Sequence, residues 1–347
     1  MTTAKCGKIE RDRNKNIVGY YLMDSTGKTK YMTKELLKYY IRIGAITVSN
    51  LTLTSDNKLR VTDKKVPHIK MTDTQLKNRI KASKNQKYEY ENLVYYLQNG
   101  KVAVRAKNSG IHSPKELTIL QGTEIVGVKA FWSCAVEKIN IPDGVTKIEK
   151  EAFSECRKLS EITLPSTITE IGEEAFYNCR SLKSMTIPKG VRCISKRSFE
   201  GSGLTTVILP YTLTEIDNRA FSYCDNLKDI RIPNNVRKIG EGAFMNCVKL
   251  RSVTIPDSVT EIGGGAFGGC KSLISIHLPV NLQKVGSYGF SGCSAIMKIE
   301  IPSKVQMLSY RCFEKCSRLS KVTMSRNLQR YIPNAFDKEN RIMWNFI

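Results

Sequence analysis

Ten of the eleven phenylalanines in this chain, Phe131, Phe153, Phe176, Phe199, Phe221, Phe244, Phe267, Phe290, Phe313 and Phe336, are separated by intervals of 22 or 23 residues. No other feature constrains the fold as tightly. A segment recurring at a fixed step folds as a stack of like units, each resting only on its neighbours.

More than an aromatic recurs. In Thr169–Val191, TEIGEEAFYNCRSLKSMTIPKGV, the residues Ile171, Ala175, Phe176, Cys179 and Leu182 fall within one arc at about 100° per residue, which predicts a short, irregular helix. Met185 and Ile187 then alternate with Ser184 and Thr186, the period of a strand. Pro188 has no N–H for a ladder and holds Ile187 extended, so it closes the strand. Gly190 serves the turn, and Val191 with Ile194 opens the next unit. The proline returns as Pro142, Pro165, Pro210, Pro233, Pro256, Pro279 and Pro302. One unit alone buries too few apolar side chains to offset the entropy of ordering it. Stacking completes the burial of each ring and pairs the strands in parallel.

Written out, the unit is I-x-[IL]-P-x-x-[VIL]-x-x-I-G-x-x-A-F-x-x-C-x-x-L, carried by Ile232–Phe244, IPNNVRKIGEGAF, and Ile255–Phe267, IPDSVTEIGGGAF. This pattern is similar to the BspA-type leucine-rich repeat of bacterial and some protist proteins, and the resemblance runs from about Leu117 to Phe336. It implies a leucine-rich-repeat solenoid, protein–protein or cell-surface binding, and no catalytic residues. The expected fold class is therefore an α/β repeat, a solenoid with a parallel strand ladder, plus a small N-terminal α/β module. Leu120 in place of the first Pro, Ser202 in place of one Cys and Ser325 at the end of the Pro series read as edge effects.

Eight of the eleven cysteines (Cys134, Cys156, Cys179, Cys224, Cys247, Cys270, Cys293 and Cys316) stand three residues after a repeat Phe. That position points inward, where a thiol is a small apolar filler. Cys312 takes the small Ala slot of its unit, Cys193 is expected to be exposed, and Cys6 has no place in the pattern. No C-x2-C pair exists, so neither zinc nor disulfides are expected. Reduced thiols, no apolar run approaching the ~20 residues of a membrane span, and a charged start without an apolar core predict a cytoplasmic protein. A trimmed leader or an unconventional route to the surface is the alternative.

The formal net charge of +23 is uneven: residues 1–116 hold 24 Lys/Arg and 10 Asp/Glu, whereas residues 117–347 hold 31 and 22. Residues 1–63 read as a small basic α/β module, with strands at Ile17–Met23 and Lys28–Met32, a helix over Lys34–Ile43, and strands around Ala45–Val48, Leu51–Thr54 and Leu59–Val61. Residues 64–116 read as a basic connector with a capping hairpin. Thr72 or Asp73 caps a short helix with Leu76 and Ile80 on one side, and Leu93–Leu97 pairs with Lys101–Val104 across Asn99-Gly100. Residues 117–347 are the solenoid, closed by Arg341–Ile347, RIMWNFI, as a C-terminal cap.

Nothing requires an enzyme. His68, His112 and His277 are isolated, Glu173 and Glu174 lie on a solvated face, and Gly263–Gly269 is the repeat pattern with extra glycines, lacking the Lys-Ser/Thr of a phosphate loop. No cofactor or metal is expected. Two surfaces are candidates for binding. The outward positions of the strands include Lys138, Glu161, Asp229, Arg231, His277, Lys298, Glu300 and Lys321, mixed in charge and without aromatic anchors, so they form either a protein-binding face or a plain solvated one. The connector carries Lys64, Lys65, Lys70, Lys77, Arg79, Lys81, Lys84 and Lys87, which would attract nucleic acid or another polyanion, or serve only as a soluble linker.

Overall fold

A computed structural model describes residues 4–11, 17–23, 29–33, 51–53, 59–61, 73–83, 85–107, 114–337 and 341–347. Two compact units divide the chain, Met1–Met71 and Thr72–Ile347.

The first unit holds one five-stranded antiparallel sheet in the order β3-β2-β1-β5-β4. Its strands are β1 (Ala4–Arg11), β2 (Ile17–Met23), β3 (Thr29–Thr33), β4 (Leu51–Leu53) and β5 (Leu59–Val61). β1 breaks register with β2 between Cys6 and Lys8 and again between Glu10 and Arg11. Strand β1 was not expected from the charged opening sequence, whose side chains show no clean alternation. The expected helix Lys34–Ile43 and strand Ala45–Val48 lie outside the described residues.

The second unit opens with helix α1 (Asp73–Ala82) and three antiparallel strands, β6 (Lys87–Tyr90), β7 (Leu93–Gln98) and β8 (Lys101–Ala106). Leu76 and Ile80 of α1 are fully buried, as their four-residue spacing requires. Asn99 and Gly100 both take left-handed φ, 50° and 78°, the turn that matches strand twist in a two-residue hairpin. β8 pairs in parallel with Ile125–Val126 of the first coil. The hairpin therefore supplies the first rung of a ladder as well as covering its end. The Leu120 N–H donates to the buried Tyr95 hydroxyl at 3.0 Å.

The repeats follow as a solenoid of parallel strands with little helix. Every coil but the last has a three-residue strand, such as Ser184–Thr186, and a two-residue strand, such as Cys193–Ile194, and each kind pairs in parallel with its counterparts. The proline closes the first strand as expected, and its carbonyl accepts from the residue three on, Val191 N–H to Pro188 at 3.0 Å. The second strand is too short to show a two-residue period and was missed.

The predicted helix over the Phe segment does not form. Residues two before and two after each repeat Phe from Phe131 to Phe313 are left-handed, Glu174 and Asn178 at φ 55° around Phe176 for example. The chain there is a run of three-residue turns: Ala175, Tyr177 and Cys179 N–H return to the carbonyls of Gly172, Glu174 and Phe176. Between them Glu174, Phe176 and Asn178 donate across to Lys196, Ser198 and Glu200 of the next coil. The turn segment is thus a third hydrogen-bonded ladder. The arc of apolar side chains was read correctly, but neighbouring coils take the N–H groups a helix would have used.

Inside, the ten Phe rings form one column, successive centroids 4.9–5.4 Å apart and within 13° of parallel. Beside it the buried thiols donate to Phe carbonyls one coil back, Cys247 to Phe221 at 3.1 Å and Cys270 to Phe244 at 3.2 Å. Cys312 is buried as well, whereas Cys193, expected to be exposed, is half-buried. At the far end Met343–Phe346 pairs with Lys321–Met324, and Trp344 meets Phe336 edge-on at 5.0 Å. This strand finishes the column by covering its last ring.

Candidate interaction surface

The three-residue strands turn their middle residue inward and both flanking residues out, so their exposed side chains run in two parallel stripes. Register decides which of the candidates meet. Lys138 lies between Glu116 and Glu161, 3.6 Å from each carboxylate. Asp229 accepts from the Ser252 hydroxyl at 2.6 Å, and Arg231 shares its strand and neighbours Thr254. Lys298 stands directly beside Lys321, two like charges without a carboxylate between them, and Glu300 stands beside Thr323. His277 and Glu300 line one cleft of about 240 Å³ together with Val280, Pro302 and Ile347. The candidates therefore form an acidic–basic patch, a basic patch and a cleft spread along the stripes.

Apolar exposure on and beside the stripes was underestimated. Ile208 is 63% exposed on the face itself. Tyr211 and Val280 occupy the turn position just after the proline, and they are 71% and 52% exposed. Other coils carry Asp143, Ser166, Lys189, Asn234, Asp257 or Ser303 there, so the signal was two apolar side chains at an otherwise polar site.

Of the basic connector, Lys64, Lys65, Lys70 and Lys84 lie outside the described residues. Lys77 pairs with Glu124 at 2.9 Å, and the Arg79 guanidinium lies 5.5 Å from the Tyr88 ring centre. Lys81 and Lys87 are exposed.

Among the described residues of this unit, the carboxylates and thiols are held by ion pairs and burial rather than gathered into an acid–base site. Glu173 bridges Lys150 and Lys196 at 3.0 and 3.2 Å, and the hydrogen bond from Lys150 holds its carboxyl below the usual range. Burial pushes the Cys224, Cys270 and Cys316 thiols up to about 12, which keeps them protonated and unreactive. Among the described residues no group of His, Cys, Asp and Glu could hold a metal ion, and no helix is long and apolar enough to cross a membrane.

A family model of BspA-type leucine-rich repeat regions, in six copies, matches residues 124–251 and 237–343, which is more than half of the chain. The chain belongs to the BspA-type leucine-rich repeat family. Solved structures with a similar fold include a leucine-rich repeat protein from Bacteroides ovatus, 19% identical, covering 75% of this chain and 99% of that one with a TM-score of 0.43. Another is the Treponema pallidum leucine-rich repeat protein, 27% identical, covering 60% and 90% with a TM-score of 0.43. A third is a leucine-rich cell surface protein from Faecalibacterium prausnitzii, 21% identical, covering 75% and 94% with a TM-score of 0.39. No curated protein matches the chain. Repeats of this type generally build scaffolds for protein interaction or adhesion.

Proposed function

We propose that residues 72–347 form a non-enzymatic protein-binding scaffold whose partner lies along the strand face. The observation that carries this reading is the pairing of evenly spaced polar stripes with exposed apolar side chains, Ile208 and Tyr211 on one coil and Val280 at the His277–Glu300 cleft. Apolar anchors surrounded by polar, solvent-exposed contacts are the usual composition of a recognition surface. Lys138, Glu161, Asp229, Arg231, Lys298 and Lys321 then set orientation and association rate rather than most of the affinity.

The test places a photo-crosslinking residue at position 208 on one variant and at position 271, on the turn edge of a later coil, on another. A partner joined at 208 and absent at 271 supports the strand face. Replacing Lys138, Asp229, Arg231, Lys298 and Lys321 together by Ser is expected to lower its recovery, and unchanged recovery rejects the face.

A second reading is favoured by the concentration of positive charge in residues 1–116. In it, the N-terminal residues bind nucleic acid or another polyanion while the repeats recruit a protein. Retention of the full chain on immobilised DNA that falls steeply between low and moderate salt would support it, because released counterions make phosphate contacts salt-dependent. No retention at low salt rejects it.

A further inference from the structure

The coil of Phe199 is one residue shorter than the one before it. Cys179-Arg180-Ser181-Leu182 corresponds there to Ser202-Gly203-Leu204. Full coils close a small turn at this point, Arg180 N–H to the Asn178 carbonyl at 2.8 Å, and Val248 N–H to that of Asn246 at 2.8 Å. In the short coil the Gly203 N–H crosses instead to the preceding coil, reaching the Cys179 carbonyl at 3.1 Å. The chain runs so close to its neighbour that a Cβ on Gly203 would stand 1.9 Å from the Arg180 carbonyl oxygen. Only glycine fits.

The missing turn leaves a notch of about 450 Å³ in the turn edge of the solenoid. Gly201, Ser202 and Gly203 line it on the short coil, Arg180 on the coil before, and Tyr223 and Asp225 on the coil after. Three of its acceptors are unused. Among the described residues the Gly201 and Ser202 carbonyls accept no hydrogen bond, and Asp225 has no ion-pair partner. Of the charges that line it, Glu200 binds the Arg197 side chain at 2.7 Å, and Arg180 stands on the side of the coil before, where its charge helps to lower Glu155. In Glu155 burial opposes ionisation, but hydrogen bonds from Asn178 and Arg157, with the charges of Arg157 and Arg180, outweigh it and lower the carboxyl. The Tyr223 ring is 48% exposed. The wall already accommodates one guanidinium of the protein's own, Arg197, which lies 4.9 Å from the Tyr177 ring centre and pairs with Glu174 and Glu200.

We propose that this notch is a socket for an arginine side chain of a partner protein, whose guanidinium donates to the Asp225 carboxylate and the Gly201 and Ser202 carbonyls and lies against the Tyr223 ring. A planar fork of five N–H donors matches several fixed acceptors better than the compact ammonium of lysine. An aromatic face beside a carboxylate suits a cation and disfavours an anion. The space left over holds bridging water. The socket lies on the turn edge, so it stands or falls independently of the strand face.

The test titrates the ¹⁵N-labelled full chain with N-acetyl-arginine methylamide and follows the amides of Gly201, Ser202 and Gly203. Saturable shifts with a dissociation constant of about 1 mM, the scale of one side chain, are expected. Asp225→Asn is expected to weaken binding about tenfold, roughly 1.4 kcal/mol. A residue inserted between Ser202 and Gly203, restoring the full coil, is expected to abolish it. Asp225→Asn is a surface change, so it keeps the test decisive should the insertion disturb folding. Equal shifts with the neutral citrulline analogue or with glucose, no shift at all, or undiminished binding by Asp225→Asn would overturn the proposal.

Discussion

At the scale of single residues, the column of rings and the row of thiols beside it run through the core among buried Ile, Leu and Val, and each member is replaceable only at a cost. Phe221 is fully buried, its ring 5.4 Å from those of both Phe199 and Phe244. Phe221→Ala leaves a cavity in the middle of the column that stacked coils cannot close. A loss of about 3–5 kcal/mol is expected, read as the shift in urea midpoint at constant slope. The thiols differ in access. Of the ten cysteines from Cys134 to Cys316, nine are buried and Cys193 is half-buried. Brief treatment of the native protein with a maleimide is expected to label Cys193 among these ten, slowly, because burial and the nearby Glu215 raise its thiol to about 11. Peptide mapping by mass spectrometry checks this. Rapid labelling of Cys247 or Cys270 would contradict the inward row.

At the scale of the element, the thiol row couples stability to pH. A thiol in an unfolded chain ionises near pH ~8.5, whereas Cys224, Cys270 and Cys316 hold their protons up to about 12. A raised folded value stabilises fully below the unfolded one and is lost as pH rises towards the folded one. Stability is therefore expected to fall between about pH 8.5 and 12, by up to roughly 1.4 kcal/mol per pH unit for each buried thiol. Urea unfolding under reducing conditions from pH 8 upward (about half a unit per step) measures the slope. Cys247→Ala should make it shallower, and an unchanged slope would show that the thiols are not the source. The turn ladder belongs to the same scale. Its left-handed residues carry side chains as large as Arg197 and Tyr223, a local strain that cross-coil hydrogen bonds at 2.6–3.1 Å repeatedly offset.

At the scale of the whole solenoid, coils are nearly interchangeable but ends are not. Removing Phe244–Ala266 joins Ala243 to Phe267 and preserves the Ala-Phe step, so every remaining coil still meets a like neighbour. That variant is expected to fold cooperatively with a similar circular dichroism spectrum per residue and a slightly lower melting temperature. Removing residues 341–347 is expected to be worse despite the smaller change. It strips Trp344 from Phe336 and uncovers the edge of Lys321–Met324, which is an invitation to edge-to-edge pairing. Light scattering should show association for the second variant and not for the first.

Period alone was enough to determine the unit, its inward side chains and the proline that ends most of the strands, because a stack of like coils must bury the same positions every time. Ile171, Phe176 and Cys179 could be placed indoors without knowing the backbone between them. The path of that backbone was decided only in three dimensions. Apolar spacing around Phe176 fits a helix, yet the N–H groups of Glu174, Phe176 and Asn178 bond to the next coil, and side-chain spacing does not report which carbonyl a main-chain donor will find. The notch beside Gly203 was visible as a 22-residue interval, but a missing residue becomes a site only when full coils stand on either side of it.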